Sequence, residues 1–269
     1  MSTATPCPTW TAAPTPRHQP RPSSWATATS WTGPCSPPSS TPPSPPAGAS
    51  SPGTPEPRPH PRRRQRLRLL GPGRRRTRLM DALHIDRAVT GGVSQGGFTA
   101  LRTALLAPER IHGLVLFDTE AQACDPNDKI IYAGMFAALA ENGPIDEILQ
   151  PLAQQLIGQH PATEHWISAW RERYSLPLGP AATCLLERDD VAERLGEITC
   201  PALLIRGSDD PSLPRERMQL MHERMLRATQ LHEITGAGHS PTITHPAQVI
   251  ELMADFLPGC LPPERPSGS

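Results

Sequence analysis

Residues 79–258 predict an α/β fold, a mostly parallel sheet flanked by helices, and three observations carry the prediction. A β-rich run at 87–93 is followed by an amphipathic helical pattern at 95–106 and a second apolar run of strand length at 112–118. Strand, helix, strand in that order argues for a parallel sheet. The alternation resumes at 201–207, after a long stretch with helical spacing at 121–189.

Taken in order, 78–83 reads as the end of a helix and 85–93 as a buried strand. In 95–106, Phe98, Leu101 and Leu105 share one helical face, and Pro108 stops the helix. The run 112–118 contains Gly-Leu-Val-Leu-Phe and reads as the next strand. Between about 121 and 189, residues such as Met135, Leu139, Leu149, Leu152 and Leu156 recur at helical spacings, which predicts several inserted helices forming a cap over the site. Helices packed on the body with no pocket role are the plainer alternative. Trp166 and Trp170 lie four apart on one helical face and predict buried packing ahead of a substrate wall. After the strand 201–207, a helix is expected at 215–225, a short last strand at 231–234, a loop at 236–239 and a final helix at 246–257. The Pro/Gly-rich tail at 259–269 predicts fraying.

The chain of 269 residues joins two different materials near Arg78. Residues 1–78 carry twelve arginines against one acidic residue, Glu56, a formal +11; the remainder carries 14 basic against 25 acidic residues, a formal −11. Residues 2–66 hold no Val, Ile, Leu, Met, Phe or Tyr. Such a segment buries too little apolar surface to offset its ordering entropy, so disorder over 1–78 is expected. An organelle transit peptide and a basic nucleic-acid tail are two readings of it. A third is an out-of-frame translation of a GC-rich gene. Every missing apolar residue except Tyr has U at the second codon base. Read in a shifted frame, residues 23–36 accommodate a strand ending in Gly-His-Gly-Asn. Residues 69–76 suit the other shift.

Six cysteines (Cys7, Cys35, Cys124, Cys184, Cys200, Cys260) show no Cys-x-x-Cys spacing, which fits free thiols in a reducing, cytoplasmic compartment. No apolar run is long enough to span a membrane, and no secretory signal core follows Met1. No metal constellation or nucleotide-phosphate loop is evident, so no cofactor, metal or nucleic-acid partner is expected.

The chemistry converges on three positions. Gly92, Ser94 and Gly96 form Gly-x-Ser-x-Gly between the first strand and its helix. A serine on such a sharp turn is held in a strained conformation with its hydroxyl exposed above the sheet. A helix N-terminus behind it favours developing negative charge. Ser94 is therefore a candidate nucleophile. A hydroxyl needs a base, and His239, in Gly236-Ala237-Gly238-His239, is the only histidine in a Gly-x-Gly-His context. His84, His112, His222 and His232 read as packing or surface groups, and His245 lies in the loop to the last helix. A base needs a carboxylate to hold its tautomer. Asp210, after the strand 201–207, is the favoured acid, with adjacent Asp209 and with Asp118 at the end of the preceding strand as alternatives.

These residues, with the acid turn 207–214, resemble the α/β-hydrolase superfamily over about residues 79–258, in the expected chain order Ser, Asp, His. The run 116–121 and the helical insert are similar to the capped subgroup of 3-oxoadipate enol-lactonase-like and cofactor-free haloperoxidase-like enzymes. The resemblance implies hydrolysis of a small ester, lactone or thioester by water through an acyl-Ser94 intermediate. It implies Ser94 as nucleophile, His239 as base, Asp210 as orienting acid and the Gln95 backbone N–H as one oxyanion donor. It also implies early strands and a His-Gly loop before the nucleophile, which 1–78 do not supply as written. A non-catalytic fragment or binding protein that keeps the scaffold is the alternative of a different class.

Overall fold

The computed structural model describes residues 71–174 and 178–260. The readings of 1–70, the shifted frame at 23–36 among them, lie outside the described residues, as does the tail beyond Cys260.

The first described element is helix α1, Gly71–Ala82. It corrects the expectation of disorder for residues 71–78. Proline in the first turn and a run of arginines both favour a helix. One of those arginines is not solvated: Arg76 is only 8% exposed, and Met80 joins the core below it. A Cβ added at Gly73 would lie 3.3 Å from the backbone of Arg102, so the helix sits close against its neighbour there. Composition counts arginine as solvent-facing; this guanidinium is spent on the interior.

Four strands follow among the described residues: β1 (Ala88–Val93), β2 (Ile111–Phe117), β3 (Ala202–Gly207) and β4 (Ala228–Ile234). They pair in the order β1-β2-β3-β4, all parallel. Val93 lies beside Phe117, Phe117 beside Ile205, and Gly207 beside Ile234, so all four carboxyl ends share one edge. Helix α2 (Gln95–Leu106) coincides with the expected 95–106. Strand β4 begins three positions before the expected 231–234, because its first residues, Ala228, Thr229 and Gln230, are small or polar and carry no apolar signal.

Side chains alternate across the sheet. Leu114, Leu116 and Leu204 face α2 and helix α7 (Arg215–Arg224), packing with Leu101, Met218 and Met221. Val115, Phe117, Leu203 and Ile205 face the other way, against Val249 of helix α8 (Pro246–Phe256). Burial on both faces explains why β2 and β3 read as unbroken apolar runs. Leu101, Leu116 and Leu204 are each 0% exposed, and truncating any one to alanine should cost about 2–5 kcal/mol. After α8 a single turn, Leu257–Cys260, returns to the body, and Cys260 is buried beside Gly113. The described structure therefore runs two residues past the expected boundary at 258.

Between β2 and β3 stand four helices: α3 (Pro126–Asn142), α4 (Asp146–Leu156), α5 (Thr163–Arg173) and α6 (Gly179–Leu186). Asp125 caps α3 by accepting from the Asn127 N–H. The insert has its own small core of Leu139, Leu149, Ala153 and Ile167, and Trp170 packs against it, with Trp166 alongside at 6.4 Å between ring centres. Polar ties join it to the body. Arg102 of α2 pairs with Asp189 at 2.8 Å, Arg188 pairs with Glu120, and Gln95 Nε2 donates to the Ala181 carbonyl at 3.0 Å. Among the described residues, no helix is long and apolar enough to cross a membrane.

Candidate active site

The turn between β1 and α2 is built by close approach. A Cβ at Gly92 would lie 2.8 Å from the Cα of Gly96, so strand and helix meet there without room for a side chain. Ser94 between them is held at φ 49°, ψ −113°, a conformation that a residue with a side chain rarely adopts. The strain is maintained from several sides. The Ser94 N–H donates to the Phe117 carbonyl at 2.9 Å, and the Ser94 carbonyl accepts from the Gly97 N–H and from Thr119 Oγ1, at 2.9 and 2.7 Å. Gln95 opens α2, so its N–H has no intrahelical acceptor.

Behind this turn lies a group that sequence reasoning missed. Arg76 of α1 donates to Thr90 Oγ1, to the Gly91 carbonyl at 3.1 Å and to the Gly96 carbonyl at 3.4 Å. One guanidinium thus bridges both sides of the turn. Burial pushes its pKa down to about 10, which leaves it charged at neutral pH. Its only sequence signal was one arginine among many.

His239 and Asp210 are brought together. His239 Nδ1 donates to Asp210 Oδ2 at 2.8 Å, with side chains 5% and 0% exposed. The other Asp210 oxygen accepts from the Ser212 N–H at 2.7 Å. Burial would raise the Asp210 pKa, but the hydrogen bond and charge of His239, with Ser212 and Asp118, hold it below the ordinary range. The loop carrying His239 reaches inward by folding over the end of β3. The Ala237 carbonyl accepts from the Asp209 N–H at 2.9 Å, and a Cβ at Gly207 would collide with the Gly238 and Ala237 carbonyls at 2.1 and 2.3 Å.

The two alternative acids are placed elsewhere. Asp209 takes a hydrogen bond from the Ser208 hydroxyl at 2.7 Å. Asp118 is 0% exposed, has φ 38°, and accepts from the Gly207 N–H at 2.9 Å. Burial first, and then the neighbouring Asp210 carboxylate, push its pKa well above the carboxylate range.

The third contact is not made. The Ser94 hydroxyl forms no hydrogen bond with His239 or with any other described residue. Ser94 follows β1, Asp210 follows β3 and His239 follows β4, so all three stand at the same carboxyl edge of the sheet. Parallel α/β sheets place ligands at that edge. Among the described residues no three His, Cys, Asp or Glu side chains gather as a metal site would need.

The chain is similar to known proteins over its described part. The chain is 28% identical over 182 residues to the human serine hydrolase BPHL, a match that takes in 66% of this chain and 57% of that protein, so it spans little more than half of that relative. It is 25% identical over 184 residues to 3-oxoadipate enol-lactonase 1 of Acinetobacter baylyi, covering 66% of this chain and 67% of the lactonase. Among solved structures, a thermophilic esterase from Thermogutta terrifontis superposes with a TM-score of 0.57 at 26% identity, over 68% of this chain and 69% of the esterase. The pattern of the alpha/beta hydrolase fold matches residues 74–246, from the arginines of α1 to the start of α8, and by that match the chain belongs to the alpha/beta hydrolase family.

Proposed function

We propose that this protein is a serine hydrolase that cleaves a small ester, lactone or thioester with water. The observation that carries the reading is the Asp210–His239 hydrogen bond at the sheet edge that also carries the strained Ser94 turn. With Nδ1 donating to Asp210, Nε2 keeps its lone pair and serves as the base. Ser94 Oγ attacks the acyl carbon and passes its proton to Nε2. The tetrahedral oxyanion is met by the Gln95 N–H at the start of α2. The leaving oxygen or sulfur takes the proton from Nε2 as its bond to the acyl carbon breaks. Water then attacks acyl-Ser94, gives a proton to Nε2, and the acid leaves as Ser94 recovers its hydrogen. The contact between Ser94 and His239 tightens when substrate docks, as such contacts often do.

The helices α3–α6 serve as a cap, a role supported by the Gln95–Ala181 hydrogen bond that joins α6 to the first residue of α2. The esterase and enol-lactonase among the similar proteins support an ester-type substrate. Four described cysteines are unpaired, which supports a reducing, cytoplasmic setting.

The test is turnover of p-nitrophenyl acetate by the purified chain, with fluorophosphonate labelling of Ser94. Ser94→Ala should lower kcat by about 10⁴-fold or more and abolish labelling. The unformed Ser94–His239 contact favours one second reading, a scaffold that binds ligands without chemistry. Absence of both turnover and labelling in the full chain would establish that reading and remove the first.

A further inference from the structure

Asp118 has no part in the mechanism above, yet it is among the most completely enclosed polar residues of the chain. It ends β2, is 0% exposed and holds a left-handed backbone at φ 38°. One carboxyl oxygen, Oδ1, is accounted for by the Gly207 N–H at 2.9 Å. The other, Oδ2, is sealed from solvent and meets no N–H or hydroxyl donor of a described residue. Its acidic neighbour is Asp210: the Gly207 residue whose N–H serves Asp118 also accepts, through its carbonyl, from the Asp210 N–H at 3.4 Å, so the two carboxyls belong to one enclosed corner. Two carboxylates cannot both stay ionised in one enclosed site, and one must keep its proton.

The geometry decides which. Asp210 has the His239 Nδ1–H and the Ser212 N–H as donors, so its negative charge is stabilised on both oxygens. Asp118 has one donor, Gly207, and an oxygen that is satisfied only if it carries a hydrogen. The charge of Arg206 acts weakly in the opposite sense, and its guanidinium pairs with Glu233 on the neighbouring strand. Among the described residues, the groups that act on the Asp118 carboxyl are Asp210, the Gly207 amide and Arg206.

We infer that Asp118 is a positioning residue: a protonated carboxyl that donates to Asp210 and locks the carboxylate in the orientation that holds His239. The inference rests on the serine-hydrolase reading for its consequence in catalysis. The proton arrangement itself stands apart from that reading. In the resting site Asp118 Oδ2–H donates to Asp210, Asp210 Oδ2 accepts from His239, and no proton leaves Asp118 during turnover. The alternative is an ionised Asp118 that merely fixes the Gly207 amide.

The experiment is ¹³C NMR of the aspartate carboxyl carbons in the full chain at pH 7, assigned by loss of signal in Asp118→Asn and Asp210→Asn, together with kcat/KM against pH. The expected result is an Asp118 carbon at the protonated position and an Asp210 carbon at the ionised one. Asp118→Asn, whose amide donates as the protonated acid does, should keep kcat/KM within about 3-fold and leave the acid limb unmoved. Asp118→Leu, which fills the site without a donor, should lose about 10-fold or more in kcat with the fold retained by circular dichroism. An Asp118 carbon at the ionised position at pH 7 overturns the inference. So does an acid limb in Asp118→Asn displaced downward by about one unit or more, as removal of a neighbouring negative charge requires. If Asp118→Leu does not fold, the wild-type carbon spectrum decides alone. If the wild-type chain turns nothing over, the hydrolase reading fails while the spectrum still reads Asp118.

Discussion

Gly207→Ala should displace the histidine from its seat against the sheet without changing the chemistry of any side chain of the site. Gly207 ends β3, and its backbone has no left-handed φ, so alanine is acceptable there on conformational grounds. The obstacle is contact. An added methyl would lie 2.1 Å from the Gly238 carbonyl and 2.3 Å from that of Ala237, where real side chains stay beyond 3.0 Å. Both obstacles are backbone, so the strip 237–238 must retreat by about 1 Å, carrying His239 with it. A misplacement of that size costs about 10²-fold in a positioned reaction. Overpacking adds about 1–3 kcal/mol of lost stability, which for a domain of this size lowers Tm by roughly 2–12 °C. The assay is kcat/KM on p-nitrophenyl acetate alongside calorimetric Tm. Wild-type values of both in Gly207→Ala would show that the loop is not wedged against β3, and the account of how His239 is aimed would fall.

Three further outcomes follow from other parts of the molecule. Arg76→Met removes the donors to Thr90, Gly91 and Gly96 and should cost about 2–4 kcal/mol in urea denaturation, with Arg76→Lys recovering part of it; a change within about 0.5 kcal/mol of wild type would refute the bridging role. The raised Asp118 pKa carries a definite sign: its contribution to stability is complete below the unfolded carboxyl range and is lost as pH rises through the folded value, so urea midpoints of wild type should fall relative to Asp118→Asn as pH rises above the ordinary carboxyl range. Asp210 runs the opposite way, since its pKa is lowered; Asp210→Asn should narrow its deficit against wild type as the pH drops below the ordinary carboxyl range, and a constant deficit would contradict the pairing with His239.

Much of the fold was legible because the central strands are buried on both faces. Residues 111–117 and 202–207 carry no polar interruption of their apolar runs except His112 and Arg206, and α2 coincides with its expected limits at both ends. Strand β4 was less legible at its start for the converse reason: at the edge, Thr229 and Gln230 answer to water as much as to the core. Glycine-flanked loops after strands pointed to 94, 210 and 239, and of these the pairing of Asp210 with His239 has a physical trace in the structure. Two participants were beyond such reasoning. Arg76 is one of four arginines in a helix of 12 residues, and only the depth of its particular face separates it from the rest. Asp118 reads as a strand-end carboxylate of the sort that fills turns; its distinction is a missing donor on one oxygen, a property of the surroundings that no local pattern encodes.

The torsion angles at position 94 imply a conflict between endurance and chemistry. Backbone strain of the Ser94 kind costs of order 1–3 kcal/mol, and glycine would relieve much of it. A library of this chain sorted by heat survival alone would therefore enrich Ser94→Gly, the one replacement that toughens the turn by deleting its hydroxyl. On the serine-hydrolase reading proposed above, thermal hardening campaigns on this scaffold need a concurrent screen for reactivity, or they will select a durable protein without its nucleophile.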